Sequence, residues 1–436
     1  MENTCKMKIL MFGWEFPPYI SGGLGTACEG IVSGLIQNNV AVTMVLPKAS
    51  NGSGTEKFKI LDAGSVGVSA SVAKQIGRKL KESAVFIGID NPIMPYVSPA
   101  EFGKNISKGK DKIPLEAPEK IEKLYFRFTG KYGRSLLTEV HNYAIVSNEI
   151  ARNQTFDIIH AHDWLTFPAA MEAKIQSGKP LVTHIHATEF DRSGDDVDTR
   201  IYQLEKQAME MADLVIAVSG YTKQILVKRY NIPSSKITVI HNAITWNKTG
   251  NLLPQPRYFK EKIITYMGRI TYQKGPEYFI KAAAKILQKG KNFRFIMAGN
   301  GNLYPKMVEL VAKLSISDRF HFTGFLKGDE VTRLLSMSDV FVMPSVSEPF
   351  GIVPLEAIQN RIPTIISKQS GVQETLSFVI KVDFWDIDLM ANAIYGIGSY
   401  PSLARTLAKE GWNEIKNLNW NDQAKKIKNH YQLLSA

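Results

Sequence analysis

Two open α/β domains facing each other across a cleft are what this sequence predicts, and three observations predict them. Short apolar runs alternate with helical patterns from end to end, the mark of layered α/β structure with parallel sheets. A polar stretch punctuated by Pro and Gly, 245–257, interrupts that alternation and reads as a linker between domains. The alternation then restarts, and 436 residues suffice for two or three domains, each with its own core.

In the first half, strands are expected at 7–12, 40–46, 84–89, 157–161, 181–186, 214–217 and 238–240, with the clearest helices at 23–38 and 200–211. The segment 91–124 is rich in Pro, Lys and Gly, lacks periodicity and reads as an irregular excursion. In the second half, strands are expected at 262–267, 293–298, 319–323, 339–343 and 363–366, with helices at 276–288 and near 303–314. A last helix at about 421–434 places Ala424, Ile427, Tyr431 and Leu434 on one face, which must pack against something. Two such domains form a cleft at the carboxyl ends of their strands, where ligands bind in this architecture.

Composition narrows the function. The 44% hydrophobic and 22% charged content is that of an ordinary globular chain, and no apolar run reaches the roughly 18–20 residues that span a bilayer. The first residues lack the apolar core of a secretory signal, and Cys5 and Cys28 are the only cysteines, so a reducing cytoplasm is the expected compartment. The net charge of +12 suits phosphate ligands, but much of it sits in local runs at 74–81, 104–112 and 425–428 that read as solvated helix faces. No zinc-finger spacing or RNA-binding aromatic signature accompanies those runs, so nucleic acid is not expected as a partner. Association with an anionic membrane surface is the less favoured reading.

The chemistry concentrates in the second half. Met267-Gly268-Arg269 ends a strand, and Lys274-Gly275-Pro276 opens the next helix, with Pro suited to the first turn. Two cations beside a helix N-terminus suit a diphosphate, the Arg as a planar fork and the Lys as a point charge. Further on, the 339–343 strand runs into Ser345-Val346-Ser347-Glu348-Pro349-Phe350-Gly351 and a helix opening near Ile352, again offering free backbone amides to an anion. Glu356 sits one turn inside that helix, where a carboxylate also suits the helix dipole, whereas Glu348 precedes it.

These two segments, Arg269…Lys274-Gly275 and Glu348…Gly351…Glu356, resemble the donor site of retaining glycosyltransferases of the GT-B fold, with two Rossmann-like domains and a C-terminal helix returning to the first. Gly22-Gly23-Leu24, His160-Ala161-His162-Asp163-Trp164 and His241-Asn242 are similar to segments of glycogen and starch synthases in the same order. The resemblance implies domains at 1–245 (acceptor side) and 246–418 (nucleotide-sugar side), with a terminal helix at 419–436. It implies that Arg269 and Lys274 hold the diphosphate with the amides of Gly351, Ile352 and Val353, that Glu348 contacts donor-sugar hydroxyls and that Glu356 binds the ribose. Gly22 and Gly23 would let backbone approach the phosphates, His162 would lie by the reacting sugar, Asn242 near the cleft, and Phe325 would stack on the base.

The resemblance also departs in places. Bacterial glycogen synthases carry a Lys two residues before Gly-Gly-Leu where this chain has Ile20, and they favour Cys where it has Phe350. The Phe-Gly-Ile-Val form resembles the broader retaining family, which includes mannosyltransferases and sucrose- or trehalose-making enzymes, and Thr183–Arg192 resembles a segment of its glucan synthase-like members.

The implied activity is transfer of a glucosyl unit from ADP- or UDP-glucose to an α-1,4-glucan with retained configuration, the nucleotide sugar serving as co-substrate and no cofactor or metal being needed. A lipid-linked or small-sugar acceptor is the alternative, and a non-catalytic nucleotide-sugar-binding protein the second alternative. Glu348 as a covalent nucleophile, by analogy with retaining glycosidases, is the less favoured mechanism. Asp196-Val197-Asp198 and Asp386-Ile387-Asp388 match the spacing of metal-dependent transferases of another fold, but so short a match is frequent by chance. His160 and His162 alternate on a strand end and could suggest metal ligands, though one of them facing the core is the favoured reading. A dehydrogenase would need Gly-x-Gly-x-x-Gly, which the first loop does not supply.

Overall fold

The computed structural model describes residues 7–17, 22–49, 57–82, 123–133, 135–246, 260–290 and 292–436. Cys5, Ile20, the expected strand at 84–89, the run at 104–112, the excursion up to residue 122 and the linker from 247 onward lie outside the described residues.

Among the described residues the first sheet is parallel with seven strands: β1 (Lys8–Phe12), β2 (Ala41–Leu46), β3 (Phe58–Asp62), β6 (Ile158–His162), β7 (Leu181–Ile185), β8 (Leu214–Ala217) and β9 (Ile237–Val239), in the order β3-β2-β1-β6-β7-β8-β9. A short antiparallel pair, β4 (Val68–Ser69) and β5 (Lys123–Leu124), stands apart. The strands of the main sheet are apolar on both faces because helices cover both. Leu10 and Phe12 point to the face covered by α3 (Leu136–Asn153), α4 (Phe167–Ser177) and α6 (Thr199–Met211). Ile9 and Met11 point to the opposite face, against α1 (Gly23–Gln37). Among the described residues the domain also holds the helices α2 (Ala70–Glu82), α5 (Glu189–Ser193) and α7 (Gly220–Tyr230).

The second sheet is also parallel and has six strands in the order β12-β11-β10-β13-β14-β15. They are β10 (Lys262–Met267), β11 (Phe293–Ala298), β12 (Phe320–Gly324), β13 (Val340–Met343), β14 (Thr364–Ser367) and β15 (Ile380–Val382). One face packs on α8 (Pro276–Lys289), α9 (Tyr304–Lys313) and α12 (Ile387–Ser399) through Phe279, Val311 and Ile394. The other packs on α10 (Asp329–Met337), α11 (Val353–Gln359) and α13 (Pro401–Ile415) through Leu335, Leu355 and Ile415.

The chain then crosses back. Helix α14 (Trp420–Ser435) packs on α1 of the first domain, with Ala424, Ile427 and Tyr431 in that domain's core. The docking is set by two glycines of α1. A Cβ on Gly30 would fall 2.2 Å from the Trp420 indole, and one on Gly34 would fall 2.5 Å from the Trp420 carbonyl oxygen. Among the described residues no helix is long and apolar enough to cross a membrane.

Candidate active site

Between the two sheets' carboxyl ends lies a cavity of about 740 Å³ lined from both domains, a size that suits a small-molecule ligand. Its second-domain wall follows from the loops after β10 and β13. The loop after β10 carries Arg269, whose Nη2 donates to Gln273 Oε1 at 2.9 Å, and leads into a short turn ending at Lys274. Gly275 follows with φ of +60°, and a Cβ there would lie 2.2 Å from the Pro344 carbonyl oxygen. Only a glycine lets these two loops touch, and the contact sets Lys274 beside Glu348.

Lys274 Nζ donates to Glu348 Oε2 at 2.5 Å, and Ser345 Oγ donates to the same oxygen at 3.1 Å. Both charged side chains are largely buried, so burial lowers the Lys274 pKa while the Glu348 carboxylate opposes that shift. The Glu348 backbone is clamped as well, its N–H on Gln369 and its carbonyl accepting from Gly371. Gly351, at φ of +103°, turns the chain toward α11. Gly351, Ile352, Val353 and Glu356 all line the cavity. Burial pushes the Glu356 carboxyl up to about 7. Phe325 lines the cavity half exposed, with Lys327 Nζ 5.6 Å from its ring centre.

The first-domain wall brings Gly22, Gly23 and the buried Asn242 to the same cavity. The structure differs from the sequence expectation at His162. That side chain is fully buried and does not line the cavity; His186 does. His162 is the last residue of β6, so its ring stands over the sheet face, whereas His186 lies one residue past β7 and can turn to the edge. His162 Nδ1 and His186 Nε2 are 2.9 Å apart, so His162 backs His186. Burial holds the His186 ring neutral at physiological pH, its pKa lowered to about 3.

Two further cavity residues lie inside resembling segments without an expected role. Asp163 accepts from the backbone N–H of His186 at 2.6 Å and of Ala187 at 3.3 Å, which shapes the turn that presents His186. Burial raises its pKa to about 7 against the pull of Arg192 and those amides. Arg192 joins Arg269, Lys274 and Lys327 in the lining, its guanidinium donating to Glu189 at 3.0 Å, to Glu205 at 2.5 Å and to the Ala187 carbonyl at 3.1 Å. It lies within the quoted 183–192 segment, in the last turn of the short helix α5.

The domains also grip each other beside the Glu348 loop. Ser347 Oγ donates to Asp191 at 2.5 Å, and Ser219 Oγ donates to the Pro349 carbonyl at 2.6 Å. Glu374 accepts from Gly220 N and Tyr221 N at the start of α7 and lies 2.9 Å from His241 Nε2. The two Asp-x-Asp segments serve helix starts instead: Asp198 caps α6 and pairs with Arg200, while Asp386 caps α12 and Asp388 pairs with Lys285. Cys28 is a buried free thiol.

Comparison with known proteins agrees with this architecture. Residues 254–378 match the family model described as glycosyl transferases group 1, and residues 114–246 match glycosyltransferase family 4. An uncharacterized glycosyltransferase of Methanocaldococcus jannaschii is 28% identical over 98% of both chains. Glycogen synthase of Mycobacterium tuberculosis is 25% identical, covering 85% of this chain and 80% of its own length. Among solved structures, sucrose-phosphate synthase from Thermosynechococcus elongatus superposes with a TM-score of 0.70 at 19% identity, over 98% of this chain and 99% of its own. Anabaena HepE in complex with UDP and glucose gives 0.67 at 15% identity, over 98% of this chain and 100% of its own. The two domains, their parallel sheets and the structural matches together show the GT-B fold, and each half of the chain is similar to a glycosyltransferase family model.

Proposed function

We propose that this protein is a retaining hexosyltransferase that moves a glucosyl unit from ADP- or UDP-glucose to an α-1,4-glucan. The observation that carries the proposal is the single cavity in which Arg269, Lys274, Glu348 and Glu356 of one domain meet Gly22, Gly23, His186 and Arg192 of the other. On this reading the diphosphate sits by Lys274 and Arg269, the sugar hydroxyls by Glu348 and His186, the ribose on Glu356 and the base on Phe325. Negative charge builds on the leaving diphosphate as the anomeric bond breaks, and fixed cations stabilise it by about 3–4 kcal/mol per well-placed donor. The leaving phosphate accepts the acceptor hydroxyl's proton on the same face, so no protein nucleophile is required. Glu348 suits hydrogen bonding better than nucleophilic attack, since Lys274 and Ser345 already engage its Oε2.

The HepE structures with UDP and with UDP-glucose support a nucleotide-sugar donor, and the curated relatives leave the acceptor open. Glycogen synthase favours a glucan. A D-inositol 3-phosphate glycosyltransferase of Mycolicibacterium smegmatis, 26% identical over 76% of this chain and 78% of its own, favours a small-molecule acceptor instead. Radiolabelled ADP- and UDP-glucose offered with glycogen separate these readings. Label from one donor should enter the polymer, and no incorporation from either would overturn the glucan assignment.

A further inference from the structure

Behind the cleft wall the ends of β6 and β7 carry a stack of imidazoles that the transfer reaction does not use. His160 and His162 alternate on one strand, and His162 pairs in register with His184 on the next, so these rings share one sheet face. With His186 they form a ladder whose neighbouring ring centres are 4.4 to 5.3 Å apart. His160, His162 and His184 are essentially solvent-free. The Nε2 atoms of His162 and His184 are buried with no hydrogen-bond partner. A buried polar nitrogen left unpaired costs about 1–3 kcal/mol, and a cation held through His162 Nε2 would remove that cost there.

We propose that His160, His162 and His184 form a buried site for a zinc-like divalent cation. One ring nitrogen from each of the three lies within 4.8 Å of the others. His160 Nε2 and His184 Nδ1 are 3.2 Å apart, close to the edge of about 3.3–3.4 Å of a tetrahedron with metal–nitrogen bonds of about 2.0–2.1 Å. The outer nitrogens are already held: His160 Nδ1 meets the Tyr431 hydroxyl and His162 Nδ1 meets His186. Such outer partners fix ring orientation in metal sites. If both Nδ1 atoms carry the proton, the Nε2 lone pairs of His160 and His162 face the site. An all-nitrogen set suits zinc, nickel or copper, whereas magnesium and calcium want oxygen. The ion ties β6 to β7 beneath His186 and stays out of the transfer chemistry, so the proposal is independent of the acceptor and of the proposed activity. Cys28, His162 and His186 make a second triad of similar spacing that shares His162, and the test separates the two.

Full-length protein freed of metal is titrated with Co²⁺ alone and then with Zn²⁺. The expected result is one equivalent of cobalt with the strong visible bands of a tetrahedral nitrogen site, displaced by zinc, and no sulfur-to-cobalt charge-transfer band. Zinc should raise the Tm. His184→Gln should weaken binding at least about tenfold, and Cys28→Ala should leave it unchanged. The proposal fails if wild-type protein shows no tetrahedral bands or if His184→Gln binds as well as wild type. It also fails if a sulfur charge-transfer band appears and is lost in Cys28→Ala, which would move the ion to the second triad. Should His184→Gln fold poorly, the wild-type spectrum decides alone, because scattered surface carboxylates give only weak octahedral bands.

Discussion

Glu356 shows how burial gives a single side chain a measurable signature. Its carboxyl titrates near 7 in the fold, against about 4.5 when solvated, because the cavity wall disfavours the charged form. Between those values the folded state holds more protons than the unfolded state, so this group's contribution to stability falls as pH rises through the window. Glu356→Gln removes the titration. The variant should match wild type in urea unfolding near pH 4.5 and exceed it by about 1–3 kcal/mol at pH 8. An equal difference at both pH values would remove burial as the cause. At this scale the site was partly legible. Arg269 and Lys274 stand beside a helix start in a way that points to an anion, the roles of Glu348 and Glu356 followed only from the resemblance, and all four line the cavity. His162 misled because sequence gives a residue's place on a strand but not whether the chain has already left the sheet. His186, one residue past its strand, occupies the wall.

Elements were legible where they are buried. β10 and β11 have the expected bounds because their apolar runs are continuous and bounded by Gly or polar residues. β3 escaped because it lies at the sheet edge, half-exposed and interrupted by Lys59, so it lacks a buried strand's apolar run. β15 has three residues at the other sheet's edge, too few to show a period. The docking of α14 on α1 was foreseen only by resemblance, yet its physical cause is the pair Gly30 and Gly34, which lets the helices approach to backbone contact. Gly34→Leu sets overpacking of about 3 kcal/mol or more against the roughly 1 kcal/mol that a helix gains on losing glycine. The variant should therefore unfold at lower temperature, with protease cleavage of α14 appearing first. A Tm equal to wild type, with α14 still protected, would show that the close approach is not what docks the helix.

Across the whole molecule, the site exists only because two domains built separately present their strand ends to one cavity. The polar 245–257 stretch marks where one α/β pattern stops and the next begins, which made two domains legible from sequence. Their mutual grip was not legible. Asp191 with Ser347, Ser219 with Pro349 and Glu374 with α7 pair residues from 130 to 156 positions apart, and no local pattern announces such contacts. They anchor the Glu348 loop from the opposite domain while Arg192 lines the same cavity, so cations stand on both of its sides. The central claim is that this shared cavity binds a nucleotide diphosphate sugar through Lys274. Calorimetric titration of ADP-glucose and UDP-glucose into wild-type protein and Lys274→Ala tests it most directly, with circular dichroism to show that the variant is folded. At least one donor should bind wild type at one site per chain, and the folded variant should bind it more than about tenfold more weakly, since a charge-assisted contact contributes about 1.5–3 kcal/mol. Neither donor binding wild type, or equal affinity for both proteins, would contradict the account.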